Sequence, residues 1–388
     1  MNQIHLKKGK SKFLDRKHPW IFSGAIASLD DELKEGEVVA IMDEKSHFCC
    51  KGIYQKGTIA IRILTFNDEK IDQAFWNKKI NEAVQLRKDL GLINENHSIC
   101  RLVHGEGDFL PGLIIDFYNG VAVIQAHAFG MYQQREMITT ALVHVFKDDL
   151  KAVYCKSAAT LPNFEVNDVY LFKHTEVPHI AKEHGYPFSI NWESGQKTGF
   201  FIDQRENRKK LAHYSKGKKV LNTFCYSGGF SIYALQAGAE IVYSVDSSEK
   251  ALELTAKNIK LQKFSGEHKS ILADAIKYMN QLEEDYDIIV LDPPAFAKSQ
   301  NKRHQAIKAY TRLNANAIRQ IKSGGIIFTF SCSQVVTPEL FKKAVMSAAI
   351  SCGRSVRIIE QLHQPQDHPI SAFHPEGEYL KGLILQVN

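Results

Sequence analysis

Short apolar runs separated by turn residues fill the first 70 residues of the chain. Residues 38–42 form one such run after Gly36, and residues 59–64 form another after Gly57. Apolar runs of this length between turn residues are typical of β-strands. The pattern predicts a small β-rich domain over residues 1–70.

Apolar positions take helical spacing from about Ile71 and stop at Gly91. Strands are then predicted over residues 98–103, 112–117 and 121–126, with Asn119-Gly120 as the hairpin turn between the last two. An amphipathic helix over 131–146 and strands over 152–156 and 168–172 follow. This order of elements predicts a central α+β domain over residues 71–186.

Strands and helices alternate from residue 187 to residue 388. Such alternation predicts a parallel sheet covered by helices on both faces, in which ligands bind beyond the carboxyl ends of the strands. The predicted strands cover 219–224, 240–246, 268–273, 286–291, 325–331, 355–362 and 380–387, and the predicted helices cover 229–237, 248–262, 303–321 and 337–351.

Composition and charge narrow the class of protein. A chain of 388 residues with 44% apolar and 24% charged residues is a folded globular protein of two or three domains, not a disordered or fibrous one. The net charge of +6 is a weak indication of an acidic partner such as nucleic acid, and by itself it favours an ordinary protein surface. The seven scattered cysteines, without a C-x-x-C pair, favour a reducing compartment.

No secretory signal and no run of 18 apolar residues occur, so we expect a cytoplasmic protein. Asp367 and three histidines of the tail, His363, His368 and His374, fit no zinc spacing, so no metal site is expected.

The loop after the first strand of the predicted parallel sheet contains small residues, which let a ligand approach the backbone at a helix N-terminus. It is neither a G-x-G-x-x-G fingerprint nor a Walker A loop. Its residues are Phe224, Cys225, Tyr226, Ser227 and Gly228.

Carboxylates end the next two strands. Asp246, before Ser247, could accept hydrogen bonds from ribose hydroxyls, and Asp274, before Ala275, could accept one from an adenine amino group. Each aspartate could instead be a helix N-cap. Because both occur at successive strand ends, the pattern favours a nucleoside site.

Two further strand ends carry candidate chemistry. Asp292-Pro293-Pro294-Ala295-Phe296 forms a rigid loop in which Phe296 could stack on a planar base and Asp292 could hydrogen-bond it, or it is a plain turn. Cys332 ends the fifth strand and is a candidate nucleophile, although most cysteines in strands are small apolar packing residues.

Basic residues near the N-terminus lie beside aromatic ones. Such a patch suits phosphate contacts and base stacking, although a solvated charged terminus explains it as well. The residues are Lys7, Lys8, Lys10, Lys12, Arg16 and Lys17, next to Trp20 and Phe22.

Together these features resemble class I S-adenosylmethionine-dependent methyltransferases, and nearly the whole chain is similar to the RlmI family of 23S rRNA 5-methylcytosine methyltransferases. The similar segments are Lys17–Ala25, Gly107–Asp116, Ser194–Arg205, His368-Pro369 and His374–Lys381. The resemblance implies an N-terminal PUA RNA-binding β-barrel and a C-terminal Rossmann-like sheet of seven strands with the last antiparallel. It also implies a cytoplasmic enzyme that acts on large-subunit rRNA. A homodimer is compatible with this.

The resemblance also implies residue roles. Cys332 would add to carbon 6 of the cytosine as nucleophile, with Asp292 between the cofactor and the base. The family's cofactor is S-adenosylmethionine, and its expected contacts here are Thr198, Phe200, Gln204, Arg205, Phe224 to Gly228, Asp246, Ser247, Asp274, Ala275 and Asp292. Expected RNA contacts are Pro293, Pro294, Phe296, Lys17 and Trp20.

One departure leaves alternatives open. Pro294 and Ala295 stand where some 5-methylcytosine enzymes carry a second cysteine, and Asp-Pro-Pro-Ala-Phe also resembles the motif of methyltransferases that modify base nitrogens. An N-methyltransferase with a structural Cys332 is therefore one alternative, and a non-enzymatic RNA-binding ribosome assembly factor is another. The Ser331-Cys332-Ser333 segment and the match of the other domains favour carbon methylation.

Overall fold

The structure, a computed structural model, describes residues 1–30, 32–282 and 284–388. The chain forms two compact units. The first comprises Met1–Tyr186, Ile190–Ile202 and Gln366–Gly377, and the second comprises Pro187–Ser189, Asp203–Pro365 and Glu378–Asn388. The predicted domain bounds 1–70, 71–186 and 187–388 stay predictions.

The first unit begins with a five-stranded sheet. Its strands are β1 (Gln3–His5), β2 (Trp20–Phe22), β3 (Val38–Met42), β4 (Phe48–Tyr54) and β5 (Ile59–Thr65), in the order β1-β3-β4-β5-β2. Alternate apolar residues such as Val39, Ile41 and Ile61 are fully buried in its core. The predicted strands of residues 38–42 and 59–64 are confirmed as β3 and β5.

A second five-stranded sheet follows in the same unit, in the order β10-β9-β8-β7-β6. Its apolar face packs against helices into one core. The elements are α1 (Gln73–Asp89), β6 (Ile99–His104), β7 (Leu113–Tyr118), β8 (Val121–Ala126), α2 (Phe129–Gln133), α3 (Arg135–Phe146), β9 (Ala152–Cys155) and β10 (Val169–Phe172), followed by the two-stranded sheet of β11 (His179–Glu183) and β12 (Tyr186–Ile190).

The single helix predicted over 131–146 is wrong. Two helices, α2 and α3, meet at Gln134, whose ψ of 0° departs from the helical value. No glycine or proline marks this break in the sequence.

The second unit alternates helices and strands, as predicted. Its elements are α4 (Arg205–Ser215), β13 (Lys219–Thr223), α5 (Gly229–Gln236), β14 (Ile241–Asp246), α6 (Glu249–Lys260), β15 (Glu267–Leu272), α7 (Ala275–Tyr278), β16 (Ile288–Leu291), α8 (Arg303–Gln320), β17 (Gly325–Ser331), α9 (Pro338–Cys352), β18 (Val356–His363) and β19 (Lys381–Val387).

These strands form one seven-stranded sheet in the order β15-β14-β13-β16-β17-β19-β18. The pairs from β15 to β17 are parallel, and β19 lies antiparallel between β17 and β18. One face packs against α7, α8 and α9, and the other against α4, α5 and α6. The predicted parallel sheet with helices on both faces and an antiparallel last strand is confirmed.

The register aligns the strand ends that carry candidate residues. Thr223 at the end of β13 lies opposite both Val245 of β14 and Leu291 of β16, and Leu291 lies opposite Thr329 of β17. The residues that follow these positions therefore emerge at one edge of the sheet. Among the described residues, no helix combines the length and the apolar character needed to cross a bilayer.

Candidate active site

The loop between β13 and α5 is folded into left-handed backbone conformations. Phe224 and Tyr226 have φ angles of 56° and 46°, and Gly228, which caps α5, has a φ of 75°. A Cβ at Gly228 would lie 2.7 Å from Cγ2 of Thr255. Glycine is therefore required there both by the backbone and by the packing of α6.

Asp246 holds this loop from the end of β14. Its Oδ2 accepts a hydrogen bond from the Tyr226 N–H at 3.0 Å, and its Oδ1 accepts one from the Ser248 N–H at 3.0 Å. Ser248, not Asp246, is the N-cap of α6, because its side chain accepts from Ala251 N–H. The carboxylate thus connects the loop to the start of α6.

Two buried side chains of α6 hold the loop from the other side. Thr255 donates to the Tyr226 carbonyl at 2.9 Å, and Asn258 donates to the Ser227 carbonyl at 2.9 Å. The sequence reasoning missed both residues. A signal was present, because they share the buried stripe of α6 with Ala251 at helical spacing, where polar residues need internal partners.

Cys225 lies inside this loop as a packing residue. Its thiol is buried, 3.7 Å from Oγ1 of Thr255, and burial raises its pKa to about 12. A thiol with so high a pKa is a poor nucleophile.

Asp274 is the N-cap of α7. Its carboxylate accepts hydrogen bonds from the N–H groups of Ile276 at 2.9 Å and Lys277 at 3.1 Å, while Ala275 is buried. The capping interpretation therefore holds for Asp274, which is itself exposed. The contact of Asp274 and Ala275 with the adenine stays a prediction, as does the ribose contact of Asp246 and Ser247.

Asp292, at the end of β16, is held by a relay of amides. Gln204 donates from Nε2 to its Oδ1 at 3.0 Å, and Asn207 donates to Oε1 of Gln204 at 2.7 Å. Both amides are almost fully buried. Gln204 was predicted from the family resemblance. Asn207 was missed because α4 is polar throughout, so no apolar stripe in its sequence indicates which of its residues are buried.

Cys332 follows β17 and is partly exposed. Its Sγ lies 3.9 Å from the carbonyl oxygen of Pro293, and Ser333 donates to the carbonyl of Ala297 at 2.6 Å. These contacts tie the turn after β17 to the loop of Pro293, Pro294 and Phe296. Cys332 and Asp292 thus end adjacent parallel strands.

Two more residues at these strand ends were missed. Tyr310 of α8 packs its ring 4.7 Å from Phe296, and burial, together with the charges of Cys332 and Asp292, raises its phenol pKa to about 12. Lys381, the first residue of β19, is buried and donates from Nζ to the carbonyls of Ser333 and Tyr379. Lys381 belongs to one of the segments that carry the family resemblance, but the resemblance gave it no role.

Three further predicted cofactor contacts are Thr198, Phe200 and Arg205. Thr198 and Phe200 are buried in the first unit, where Thr198 donates to Asp116 at 2.5 Å. Arg205 is buried at the start of α4 in the second unit and forms an ion pair with Glu206 at 3.0 Å. Their roles in cofactor binding stay predictions.

Of the two predicted RNA contacts in the first unit, Lys17 is exposed and Trp20 is half-buried. The Trp20 Nε1–H donates to Glu106 at 2.9 Å, and its ring lies edge to face with His374 at 4.5 Å. Trp20 therefore has structural contacts of its own, whereas the basic residues from Lys7 to Lys17 are exposed.

The histidines of the tail have separate surroundings. His368 hydrogen-bonds Asp367 at 2.9 Å, and Nδ1 of His363 lies 2.8 Å from the Gln364 carbonyl. His374 lies with His18 and Glu376, whose potential metal-ligand atoms are all within 4.8 Å of one another. Sequence spacing could not reveal this group, because His18 lies near the opposite end of the chain. The expected absence of a metal stays a prediction.

The chain is similar to known families and proteins over most of its length. Residues 173–384 match the family of S-adenosylmethionine-dependent methyltransferases, and residues 4–66 match a PUA-like domain. Ribosomal RNA large subunit methyltransferase I of Alteromonas mediterranea is 37% identical over 99% of this chain and 98% of that protein. The proteins of that name from Enterobacter sp. (strain 638) and Escherichia coli O157:H7 are 37% and 36% identical, each over 99% of both chains.

This chain belongs to the ribosomal RNA large subunit methyltransferase I family. The predicted resemblance and the predicted cofactor, S-adenosylmethionine, are confirmed at this level. The fold matches that of a candidate SAM-dependent methyltransferase from Streptococcus mutans over 100% of both chains, with a TM-score of 0.84 at 21% identity. The crystal structure of SMU.776, a candidate methyltransferase complexed with SAH, gives a TM-score of 0.85 at 21% identity over 100% of both chains.

The residues present fit this cofactor. The loop ends at Gly228, whose left-handed backbone forms the N-cap of α5. Asp246 offers carboxylate oxygens at the end of the adjacent strand, β14. A helix N-terminus and a carboxylate at a strand end suit the amino acid part and the ribose of S-adenosylmethionine, respectively. When bound, S-adenosylmethionine supplies an electrophilic methyl group.

Proposed function

We propose that the protein methylates carbon 5 of a cytosine in large-subunit rRNA, with Cys332 as the nucleophile. The observation that carries the proposal is the position of Cys332, which is partly exposed at the end of β17, beside the loop that follows Asp292. Cys225, the other cysteine at a strand end of this sheet, is buried and has a raised pKa. The substrate class follows the name of the relatives, which are ribosomal RNA large subunit methyltransferases.

Carbon 5 of cytosine is a weak nucleophile, which is why the reaction needs a thiolate. Addition of the Cys332 sulfur to carbon 6 makes the ring an enamine, whose carbon 5 then takes the methyl group. Loss of the carbon 5 proton to water restores the 5,6 double bond and expels the thiolate. The target base must be unstacked to admit the sulfur at its ring face.

In this proposal, Asp292 holds the base during addition. The Gln204 amide, itself fixed by Asn207, orients the Asp292 carboxylate by donating to Oδ1. The second oxygen can accept a hydrogen bond from a protonated ring nitrogen 3, which favours addition at carbon 6. Phe296, packed on Tyr310, supplies an aromatic surface in the same loop.

RNA binding is assigned to the N-terminal part of the first unit. Residues 4–66 match a PUA-like domain, and the basic residues Lys7, Lys8, Lys10, Lys12, Arg16 and Lys17 are exposed. Exposed lysine and arginine side chains give salt-dependent phosphate contacts.

The test is nucleoside analysis of rRNA methylated by the purified protein. Digestion and mass spectrometry should show 5-methylcytosine as the product, and mapping should place it in the large-subunit rRNA. A methyl group on a base nitrogen would replace this proposal by the N-methyltransferase alternative, which rests on the Asp-Pro-Pro-Ala-Phe loop. RNA binding without any methylation, and without binding of S-adenosylmethionine by calorimetry, would leave only the assembly-factor alternative.

A further inference from the structure

His18, His374 and Glu376 form a group of potential metal ligands, which we call the His-His-Glu group. Oε2 of Glu376 lies 3.9 Å from Nε2 of His18 and 4.0 Å from Nε2 of His374. The ligand atoms of all three residues lie within 4.8 Å of one another. All three belong to the first unit, although His18 and His374 stand near opposite ends of the chain. The fold thus brings together three donors that no local sequence motif contains.

His374 is the buried member of the group. It is 4% exposed, and among the described residues neither of its ring nitrogens has a hydrogen-bond partner. Its ring packs edge to face against Trp20 at 4.5 Å and against His18 at 5.4 Å. A buried polar group without a partner costs free energy. This imidazole, whose Nε2 lies towards the Glu376 carboxylate, therefore points to a ligand that takes its lone pair.

The surroundings of His374 favour a neutral imidazole. Burial lowers its pKa, the carboxylates of Glu106 and Glu376 oppose this decrease, and the nearby His18 adds to it. A neutral imidazole carries a lone pair on one ring nitrogen and is the form that binds metals. His374 can therefore bind an ion at neutral pH without first losing a proton.

His18 has a partner for the tautomer that metal binding requires. Its Nδ1 lies 3.4 Å from the Trp20 carbonyl oxygen and 3.2 Å from the Trp20 backbone nitrogen, so either tautomer has a partner. With the proton on Nδ1 and donated to the carbonyl, the lone pair is on Nε2, the nitrogen nearer Glu376. Histidines that bind metals are usually oriented by such a second hydrogen bond.

Two imidazoles and one carboxylate are typical ligands of zinc and of similar divalent transition metals. In a tetrahedral zinc site, ligand atoms about 2.0–2.1 Å from the metal lie about 3.4 Å from one another. The two distances to Glu376 exceed this by about half an ångström, and the two imidazoles have to approach by about 1.4 Å at most. The side chains of His18 and Glu376 are 21% and 61% exposed, so both have room to move.

We propose that the His-His-Glu group binds one divalent transition-metal ion, with zinc as the best fit. Three protein ligands leave the fourth position of a tetrahedral site to water. The ion holds the segment before β2 to the turn that contains Glu376, and it stabilises the first unit because it links distant parts of the chain. This site runs against the expectation of no metal, which considered only the spacing of the tail histidines. It does not depend on the proposed methyl transfer.

The experiment is calorimetric titration of the full chain with ZnCl₂, after bound metal has been removed with a chelator. We expect one Zn²⁺ per chain with a Kd of about 1 μM or less. Mg²⁺ should not bind, because it prefers oxygen ligands. Zn²⁺ at about 100 times its Kd should raise the melting temperature by several degrees, since it binds the folded state.

Glu376→Gln and Glu378→Gln are the matched pair of variants, because both glutamates are exposed and lie two residues apart. We expect Glu376→Gln to weaken Zn²⁺ binding about tenfold or more, whereas Glu378→Gln should bind as the wild type does. His374→Ala should weaken binding about 100-fold or more, and His144→Ala, which removes an exposed histidine of α3, should leave it unchanged.

Wild-type zinc affinity in either Glu376→Gln or His374→Ala would overturn the proposal, because the ion would then be held by other residues. A wild-type chain that binds no Zn²⁺ would overturn it too and leave the His-His-Glu group a packing cluster. If His374→Ala does not fold, the comparison of Glu376→Gln with Glu378→Gln decides the question, since both positions are at the surface.

Discussion

Two strand ends of the second unit, both at the same edge of one sheet, are built in opposite ways. The loop after β13, residues 224–228, is called the cofactor loop because it is proposed to bind S-adenosylmethionine. There, Asp246, Thr255 and Asn258 hold the N–H and carbonyl groups of the backbone with hydrogen bonds of 2.9–3.0 Å. At the turn after β17, the Cys332 thiol lies at the longer distance of 3.9 Å from the Pro293 carbonyl, and a buried lysine lies next to this turn.

Under the proposed function, this difference matches the role of each strand end. Satisfied hydrogen bonds fix a loop in one conformation before its ligand arrives, so that little ordering entropy is lost on binding. A nucleophile needs the reverse, because strong hydrogen bonds or deep burial would reduce the reactivity of its sulfur. Burial raises the pKa of Cys225 in the cofactor loop, whereas Cys332 stays partly exposed.

Removal of the Cys332 thiol should give the largest effect, because it should reduce methyl transfer and leave cofactor binding unchanged. We expect Cys332→Ala to reduce methyl transfer to rRNA by about 10³-fold or more, as for other covalent nucleophiles, because no thiolate remains to activate the ring. Binding of S-adenosylmethionine should stay within about twofold of the wild type, because the cofactor loop has its own hydrogen bonds. Methyl transfer from labelled cofactor and titration calorimetry measure the two effects.

Cys352→Ala is the matched control, since Cys352 is also a partly exposed thiol of this unit but lies on α9. It should keep full activity. Should Cys332→Ala retain more than about a tenth of wild-type activity, the thiol would not be the nucleophile and the comparison between the two ends would fail.

The converse change removes the carboxylate that holds the cofactor loop. Asp246→Ala leaves the N–H groups of Tyr226 and Ser248 without their acceptor. Hydrogen bonds to charged groups contribute about 1.5–3 kcal/mol, so we expect binding of S-adenosylmethionine to weaken about 10- to 100-fold. The rate of Cys332 alkylation should not change.

Glu253→Ala, which removes an exposed carboxylate of α6, is the control and should bind the cofactor normally. Unaltered cofactor binding in Asp246→Ala would show that the loop keeps its conformation through Thr255 and Asn258 alone. A change in Cys332 reactivity would show that the two strand ends are coupled.

The sequence predicts well those elements whose pattern is strong. Residues 121–126 and 325–331 are buried strands with the predicted bounds, because continuous apolar runs between turns leave few alternatives. Helix α4 was not predicted, since its sequence is polar and its buried residues include Arg205, Asn207 and Arg208. The short strands β1 and β2 were missed because too few apolar residues stand among the basic ones to show an alternation.

The residues of the candidate site also differ in whether the sequence predicts them. Residues at strand ends, such as Asp292 and Cys332, follow from where each apolar run stops. Lys381 does not, because its hydrogen bond to the turn after β17 depends on β19 pairing antiparallel with β17, opposite Ser331. Pairing between strands about 50 residues apart is set by the packing of the whole sheet, which local patterns do not contain.

Substitution of Asp274, which follows β15, gives the smallest expected effect. Asp274→Ala removes the acceptor for the Ile276 and Lys277 N–H groups and should reduce the free energy of unfolding by about 1 kcal/mol, as for other lost N-caps. Asp274→Asn keeps the cap, because asparagine caps helices about as well as aspartate, so urea unfolding should match the wild type. If the carboxylate also holds the adenine amino group, calorimetry should show about threefold to tenfold weaker binding of S-adenosylmethionine in Asp274→Asn. Wild-type affinity in this variant would instead leave Asp274 a helix cap alone, and the cofactor end would depend on the loop and Asp246.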